Sequence, residues 1–153
     1  MIRLSKLTDY AIVVMSEMAR RVGTVHTVAQ LADRTGVPAP TVAKLMKSLT
    51  PAGLTTSHRG AAGGYALTRP ATDITIADIV VALDGPIALT ACVEGAGEEC
   101  GVESLCPMRG GWEKINAAIR GALEQVTLAD MMMPAWAPPP GEAPVTRAAA
   151  RAG

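Results

Sequence analysis

Residues 27–68 constrain this chain more than any other stretch. Thr27 is a good helix N-cap, and Val28, Leu31 and Ala32 follow it at helical spacing until Gly36 interrupts. Val37-Pro38-Ala39-Pro40 makes a tight connection. Pro40 or Thr41 then opens a second helix bearing Val42, Leu45, Met46 and Leu49, which must end before Pro51 and Gly53. Two short helices joined by a glycine-containing turn predict a helix-turn-helix. Two β-like runs follow at once, Leu54–Arg59 and Tyr65–Thr68, around the turn Gly60-Ala61-Ala62-Gly63-Gly64. A hairpin placed directly after a helix-turn-helix predicts a winged helix.

That arrangement suits double-stranded DNA. Thr41, Lys44, Lys47 and Ser48 share the non-apolar side of the second helix. Lysines and hydroxyls are residue types that contact phosphates and major-groove base edges. Arg59 is expected at the wing tip, where it can enter the minor groove. The wing glycines would let the hairpin approach the sugar–phosphate backbone. The turn lacks the Gly-Lys-Ser/Thr ending of a nucleotide-binding P-loop.

The net charge of zero conceals a division that supports a polyanion partner. Residues 1–70 carry nine Lys/Arg against three acids, or +6, and residues 71–133 carry three against ten, or −7. Aromatics make up 3% of the chain and Phe is absent, so the core must be built from Ala, Val, Leu, Ile and Met, which favours helices. No apolar run reaches the roughly 18 residues of a membrane span, and the N-terminus has no secretion-signal pattern. We therefore expect a cytoplasmic protein.

Periodicity adds a helix over 7–22, capped by Thr8 or Asp9 and ended by Gly23. A further helix should start at Thr75 and end at Asp84-Gly85-Pro86. A longer one should follow Gly110-Gly111, with Trp112, Ile115, Ala118, Ile119, Ala122, Leu123 and Val126 in one stripe, and Leu128 and Met131–Met133 extend its apolar character through a second short turn. Such a stripe needs a partner surface, and the economical one is the same helix of a second copy. The fold expected is mainly α with a small β-hairpin wing and a long C-terminal dimerisation helix. The expected divisions are a winged-helix domain over 1–86, a cysteine loop over 87–109, a dimerisation helix over 110–133, and a Pro/Ala-rich tail over 134–153 that reads as disordered.

All three cysteines fall in one short loop: Cys92, Cys100 and Cys106, separated by seven and five residues. The acidic, glycine-rich segment between the first two cannot make a core. Crowded thiolates repel unless a cation relieves them, and an odd number in a reducing compartment favours a metal site over a disulfide. Iron–sulfur or zinc chemistry fits this donor set. A metal-free thiol switch is disfavoured, because the surrounding acids raise a thiol's pKa. A catalytic cysteine would need a base, and His26 and His58 both fall in the DNA-binding half, where they read as surface or phosphate-contacting residues. No enzyme constellation is present.

The opening Ile2-Arg3-Leu4-Ser5-Lys6-Leu7-Thr8-Asp9-Tyr10-Ala11, the wing Arg59-Gly60-Ala61-Ala62-Gly63-Gly64-Tyr65 and the three cysteines together resemble the bacterial IscR-, NsrR- and RirA-type regulators over about residues 1–133. The cysteine spacing is most similar to that of RirA-type and SUF-system regulators. The resemblance implies a homodimeric transcription factor, most simply a repressor of iron–sulfur assembly or iron homeostasis genes. It implies DNA contacts at Lys6, Tyr10, Val28, Pro40, Thr41, Lys44, Lys47, Ser48, Arg59 and Gly60. It also implies a 2Fe–2S or 4Fe–4S cluster on Cys92, Cys100 and Cys106. A nitric-oxide sensor and a winged helix with structural zinc are the alternative readings. Two departures stand out. IscR-type proteins carry a histidine shortly after the third cysteine, whereas Pro107-Met108-Arg109 follows here. The fourth ligand is therefore open to Glu94, Glu98, Glu99, Glu103 or, as in NsrR-like proteins, Asp9 of the partner subunit. Ala43 stands where IscR-like recognition helices can carry an acid, so their operator preference does not transfer.

Overall fold

The computed structural model describes residues 3–97, 101 and 105–133. The chain order is α1 (Lys6–Ala19), α2 (Val28–Thr35), α3 (Ala39–Leu49), β1 (Thr55–His58), β2 (Gly64–Leu67), a 3-10 turn (Ala71–Asp73), α4 (Ile76–Asp84), α5 (Arg109–Gln125) and α6 (Leu128–Met131).

The core is assembled from one face of each helix. Val14, Met15 and Met18 of α1 meet Leu31 of α2, Leu45, Met46 and Leu49 of α3, and Ile76, Ile79 and Val80 of α4. Methionine fills the irregular gaps that phenylalanine fills in other cores. Local chemistry sets the helix ends. Thr27 and Gln30 form a reciprocal capping box at α2, and Gly36 closes that helix in the left-handed conformation at φ 74°. Thr75 and Asp78 cap α4 in the same reciprocal way.

The first helix differs from its sequence-based boundaries. It runs from Lys6 to Ala19, and its cap is Ser5, whose hydroxyl accepts from the Thr8 amide. Thr8 is occupied elsewhere: its hydroxyl donates to Asp84 at 2.7 Å, joining the start of α1 to the end of α4. Burial pulls the Asp84 pKa up, but the hydrogen bonds from Ser5 and Thr8 outweigh it and hold the carboxyl below its usual range.

A second difference concerns the expected dimerisation segment over 110–133. The long helix stops at Gln125, where Val126 turns extended. The Ile76 amide donates to Val126 O and the Leu128 amide to Ile74 O, both at 2.8 Å. This antiparallel bridge drops Leu128 into the winged-helix core, fully buried. Thr127 and Asp130 cap the short α6 that follows. Residues 126–131 therefore pack on the amino-terminal body rather than prolonging the α5 stripe.

Leu128→Ala should cost about 2–5 kcal/mol, the usual range for truncating a buried leucine. Val22→Ala, at a position 83% exposed, should stay within about 0.5 kcal/mol. Urea unfolding followed by circular dichroism measures both.

Candidate DNA-reading surface and cysteine loop

α2 and α3 lock through Leu31, Val37, Val42 and Leu45, all buried. That leaves the other side of α3 to solvent. Pro40, Lys44 and Lys47 are exposed there, with Thr41 and Ser48 half-buried beside them. Among the described residues, neither lysine has a carboxylate partner. Val28 differs from the rest of the expected contact set, being half-buried against the core.

The wing is an antiparallel pair with Thr55 opposite Leu67 and His58 opposite Gly64. Arg59 and Gly60 stand exposed at its tip. The glycines have a reason besides DNA approach. A side chain at Gly63 would strike the His58 carbonyl, and one at Gly64 would overlap the His26 carbonyl. Two anchors hold the hairpin. On one side Thr50, just past α3, shares a 2.9 Å hydrogen bond with Thr55, and the Thr68 hydroxyl donates to Gly53 O at 2.6 Å. On the other side His26 and Tyr65 exchange both backbone hydrogen bonds at 2.8 Å. His26 is thus buried, at 1% exposure. The expectation that it is a surface or phosphate-contacting residue is corrected: strand pairing with Tyr65 draws it inside. His58 is exposed, as expected.

At the start of α1 the Lys6 ammonium lies 5.3 Å from the Tyr10 ring centroid. Lys6, Lys44, Lys47 and Arg59 supply four of the nine basic side chains of the amino-terminal half.

The cysteine loop hangs from α5. Asn116 is buried, and its amide nitrogen donates to Ile87 O at 2.9 Å while its oxygen accepts from the Leu89 amide at 3.1 Å. Glu113 accepts from the Glu94 amide at 3.2 Å. Cys92 sits between these two holds, its sulfur 3.2 Å from the Thr90 hydroxyl. Cys92 and Cys106 are free thiols, each half-buried. Cys100 lies outside the described residues, as do Glu98, Glu99 and Glu103. Among the described residues no three His, Cys, Asp or Glu side chains gather as a metal site. Asp9 is exposed on α1, in a groove also lined by Ile12, Val13, Arg34, Met131 and Met132, with no cysteine among the described residues on that wall. Sequence reasoning missed Asn116 and Glu113. The signal for Asn116 was a lone amide inside the apolar stripe from Trp112 to Leu123.

A helix-turn-helix with an anchored wing and a lysine-bearing second helix defines a winged-helix DNA-binding regulator. Residues 4–134 match the Rrf2 family model, described as iron-dependent transcriptional regulators, and the chain belongs to that family. A helix-turn-helix-type transcriptional regulator of Mycobacterium tuberculosis is 35% identical over 130 residues, 84% of this chain and 80% of its own length. The regulator IscR of Photobacterium profundum is 31% identical over 132 residues, 85% of this chain and 75% of its own. Among solved structures, the IscR of T. potens superposes with TM-score 0.62 at 30% identity, covering 86% of each chain. CymR, the global cysteine regulator of B. subtilis, superposes with TM-score 0.65 at 29% identity, covering 86% of this chain and 97% of its own. Members of this family are transcription factors rather than enzymes. No helix among the described residues is long and apolar enough to cross a membrane.

Lys44→Ala should weaken binding to any duplex. It should also reduce the slope of log K against log salt by about 1, the signature of one lost phosphate contact. If Lys44 reads a base instead, the loss will be confined to particular sequences. Fluorescence anisotropy across a salt series separates these outcomes.

Proposed function

We propose that this chain is a cytoplasmic, homodimeric repressor of iron–sulfur assembly or iron homeostasis genes. In this reading it senses iron or redox state through an iron–sulfur cluster on Cys92, Cys100 and Cys106. The carrying observation is that one helix, α5, holds the cysteine loop while offering an uncovered apolar stripe. Asn116 and Glu113 grip the loop on either side of Cys92, and Trp112 and Ile115 stand 40% and 48% exposed on the same helix.

The donor set fits a cluster. Cys92 and Cys106 are half-buried and neither is sealed in the core, and the third thiol belongs to the same loop. Bound there, a cluster supplies chemistry that oxygen, iron supply or nitric oxide can alter. The fourth ligand position is open to a protein or an exogenous donor, with Asp9 of the partner subunit as one candidate.

The chain's own residues do the rest. Ordering the loop tightens its hold on Ile87–Leu89 and on α5. Through the stripe, α5 sets how two copies sit on each other. Two recognition helices read adjacent half-sites only when about 34 Å apart, or a multiple of that. A coupling of about 1–3 kcal/mol then changes operator affinity roughly 5–150-fold. Lys6, Tyr10, Pro40, Thr41, Lys44, Lys47, Ser48, Arg59 and Gly60 form the DNA surface, with Val28 as support from within.

Anaerobic purification tests the reading. A brown protein containing iron and sulfide, whose affinity for the promoter upstream of its own gene changes at least about fivefold on cluster removal, supports it. Colourless protein containing zinc, or equal affinity of the two forms at matched salt, overturns it.

A further inference from the structure

His26 is a buried titratable group that neither the DNA surface nor the cysteine loop employs. Its Nε2 has no hydrogen-bond partner among the described residues. Buried polar atoms are ordinarily satisfied, so a bare nitrogen calls for a reason. Its position is specific. His26 immediately precedes Thr27, the cap of α2, and its backbone pairs on both sides with Tyr65 of the wing. Gly64 is packed so closely on the His26 carbonyl that no side chain fits.

The charges around the ring are mostly of one sign. Arg34 comes from α2, Arg21 from the turn after α1, and Glu17 from α1 itself. Glu17 is already shared, 3.3 Å from Arg20 and 3.8 Å from Arg34. The Tyr65 phenol belongs to the strand opposite. A neutral imidazole tolerates this pocket: the Met18 backbone acts on the ring, and an unprotonated Nε2 keeps its lone pair and needs no acceptor. An imidazolium would present an N–H with no acceptor beside two guanidiniums.

We infer that His26 is a positioning residue for DNA binding: in its neutral form it seats the wing against the helix-turn-helix, and its protonation releases the wing. An isolated two-stranded hairpin is marginal in water. With the His26–Tyr65 side undone, the hairpin keeps the Thr50–Thr55 and Thr68–Gly53 hydrogen bonds and the packing of Leu54 and Leu67 at its base, but loses the backbone pairing that aligns it with α2. The wing then pivots about Gly53, a left-handed glycine with φ 77°, and Arg59 loses its place over the groove. Desolvation and Arg34 lower the His26 pKa from its ordinary 6.5. The sign follows from linkage. The seated wing has its full stability above pH 6.5 and loses it as pH falls through the lowered folded value, by at most about tenfold per pH unit for one proton.

The test uses the full-length protein in a His58→Gln background, which leaves His26 as the sole imidazole of the two in the chain. Amide exchange of Tyr65 and of Leu45 is followed from pH 8 to 5.5, alongside anisotropy on a duplex selected from a random pool. The protection factor of Tyr65 should be flat above pH 6.5 and fall below it, with that of Leu45 unchanged. Duplex affinity should fall with Tyr65, and both trends should vanish in His26→Gln. Undiminished Tyr65 protection at pH 5.5, or an equal decline in His26→Gln, overturns the inference. If that variant does not fold, His26→Val replaces it. Should both fail, the imidazole C–H resonance of the parent decides: a midpoint at or above 6.5 overturns the inference, and a lower midpoint coincident with the loss of Tyr65 protection supports it.

Discussion

The antiparallel bridge between residues 74–76 and 126–128 is the constraint on which the rest of this molecule depends. Without it the carboxyl end of α5 would be held by side-chain packing alone. With it, two 2.8 Å backbone hydrogen bonds and the buried Leu128 side chain fix the carboxyl end of α5 beside the first turn of α4. Further along, Asn116 grips Ile87 and Leu89, the chain that leaves α4. The helix is thus fastened at two places to the segment leading into the cysteine loop. An isolated loop of glycines and acids has no means of reporting its state. In the proposed reading, suspension from a fastened helix gives the loop one, because a change in its grip bears on α5.

The amino-terminal body is built so that its charged side chains need not carry stability. Its core is aliphatic, and Lys44 and Lys47 of α3 have no carboxylate partners among the described residues. Exposed ion pairs contribute little to folding in any case. The lysines thereby remain available to phosphates. The wing follows the same plan. Its tip is bare, and its base is held by hydroxyls on one side and by backbone pairing with His26 on the other. Asp84 performs a related task at the start of α1, binding Ser5 and Thr8 from the end of α4.

Much of this was legible in the sequence because it is local. Thr27, Gly36 and Thr75 act within one helical turn of themselves, so the ends of α2 and α4 could be read directly. The hairpin followed from its glycines and flanking β-formers. Long-range partners were illegible. The start of α1 was misplaced because Thr8 spends its hydroxyl on Asp84, far along the chain. His26 looked like a surface histidine because nothing near it in sequence announces Tyr65. Gly63 was correctly assigned to the turn, whereas Gly64 already opens β2 opposite His58, and the backbone both make room for is visible only in three dimensions. Leu128 reads as a continuation of the α5 stripe until Val126 turns extended and carries it into the core. At the cysteine loop the crowding of three thiols was plain from spacing, whereas the holds from Asn116 and Glu113 arise from a helix that begins after the loop ends.

The central claim is that the state of the cysteine loop, passed through α5, sets the spacing of two recognition helices. The direct measurement is a dipolar distance between spin labels in the dimer. The labels are carried by a non-cysteine unnatural residue at the exposed position of Ala52, just past α3, and the distance is recorded with the loop loaded by a diamagnetic cluster and with it empty. The account predicts two displaced distance distributions, only one of them centred where both helices can enter successive major grooves. Superimposable distributions would contradict it.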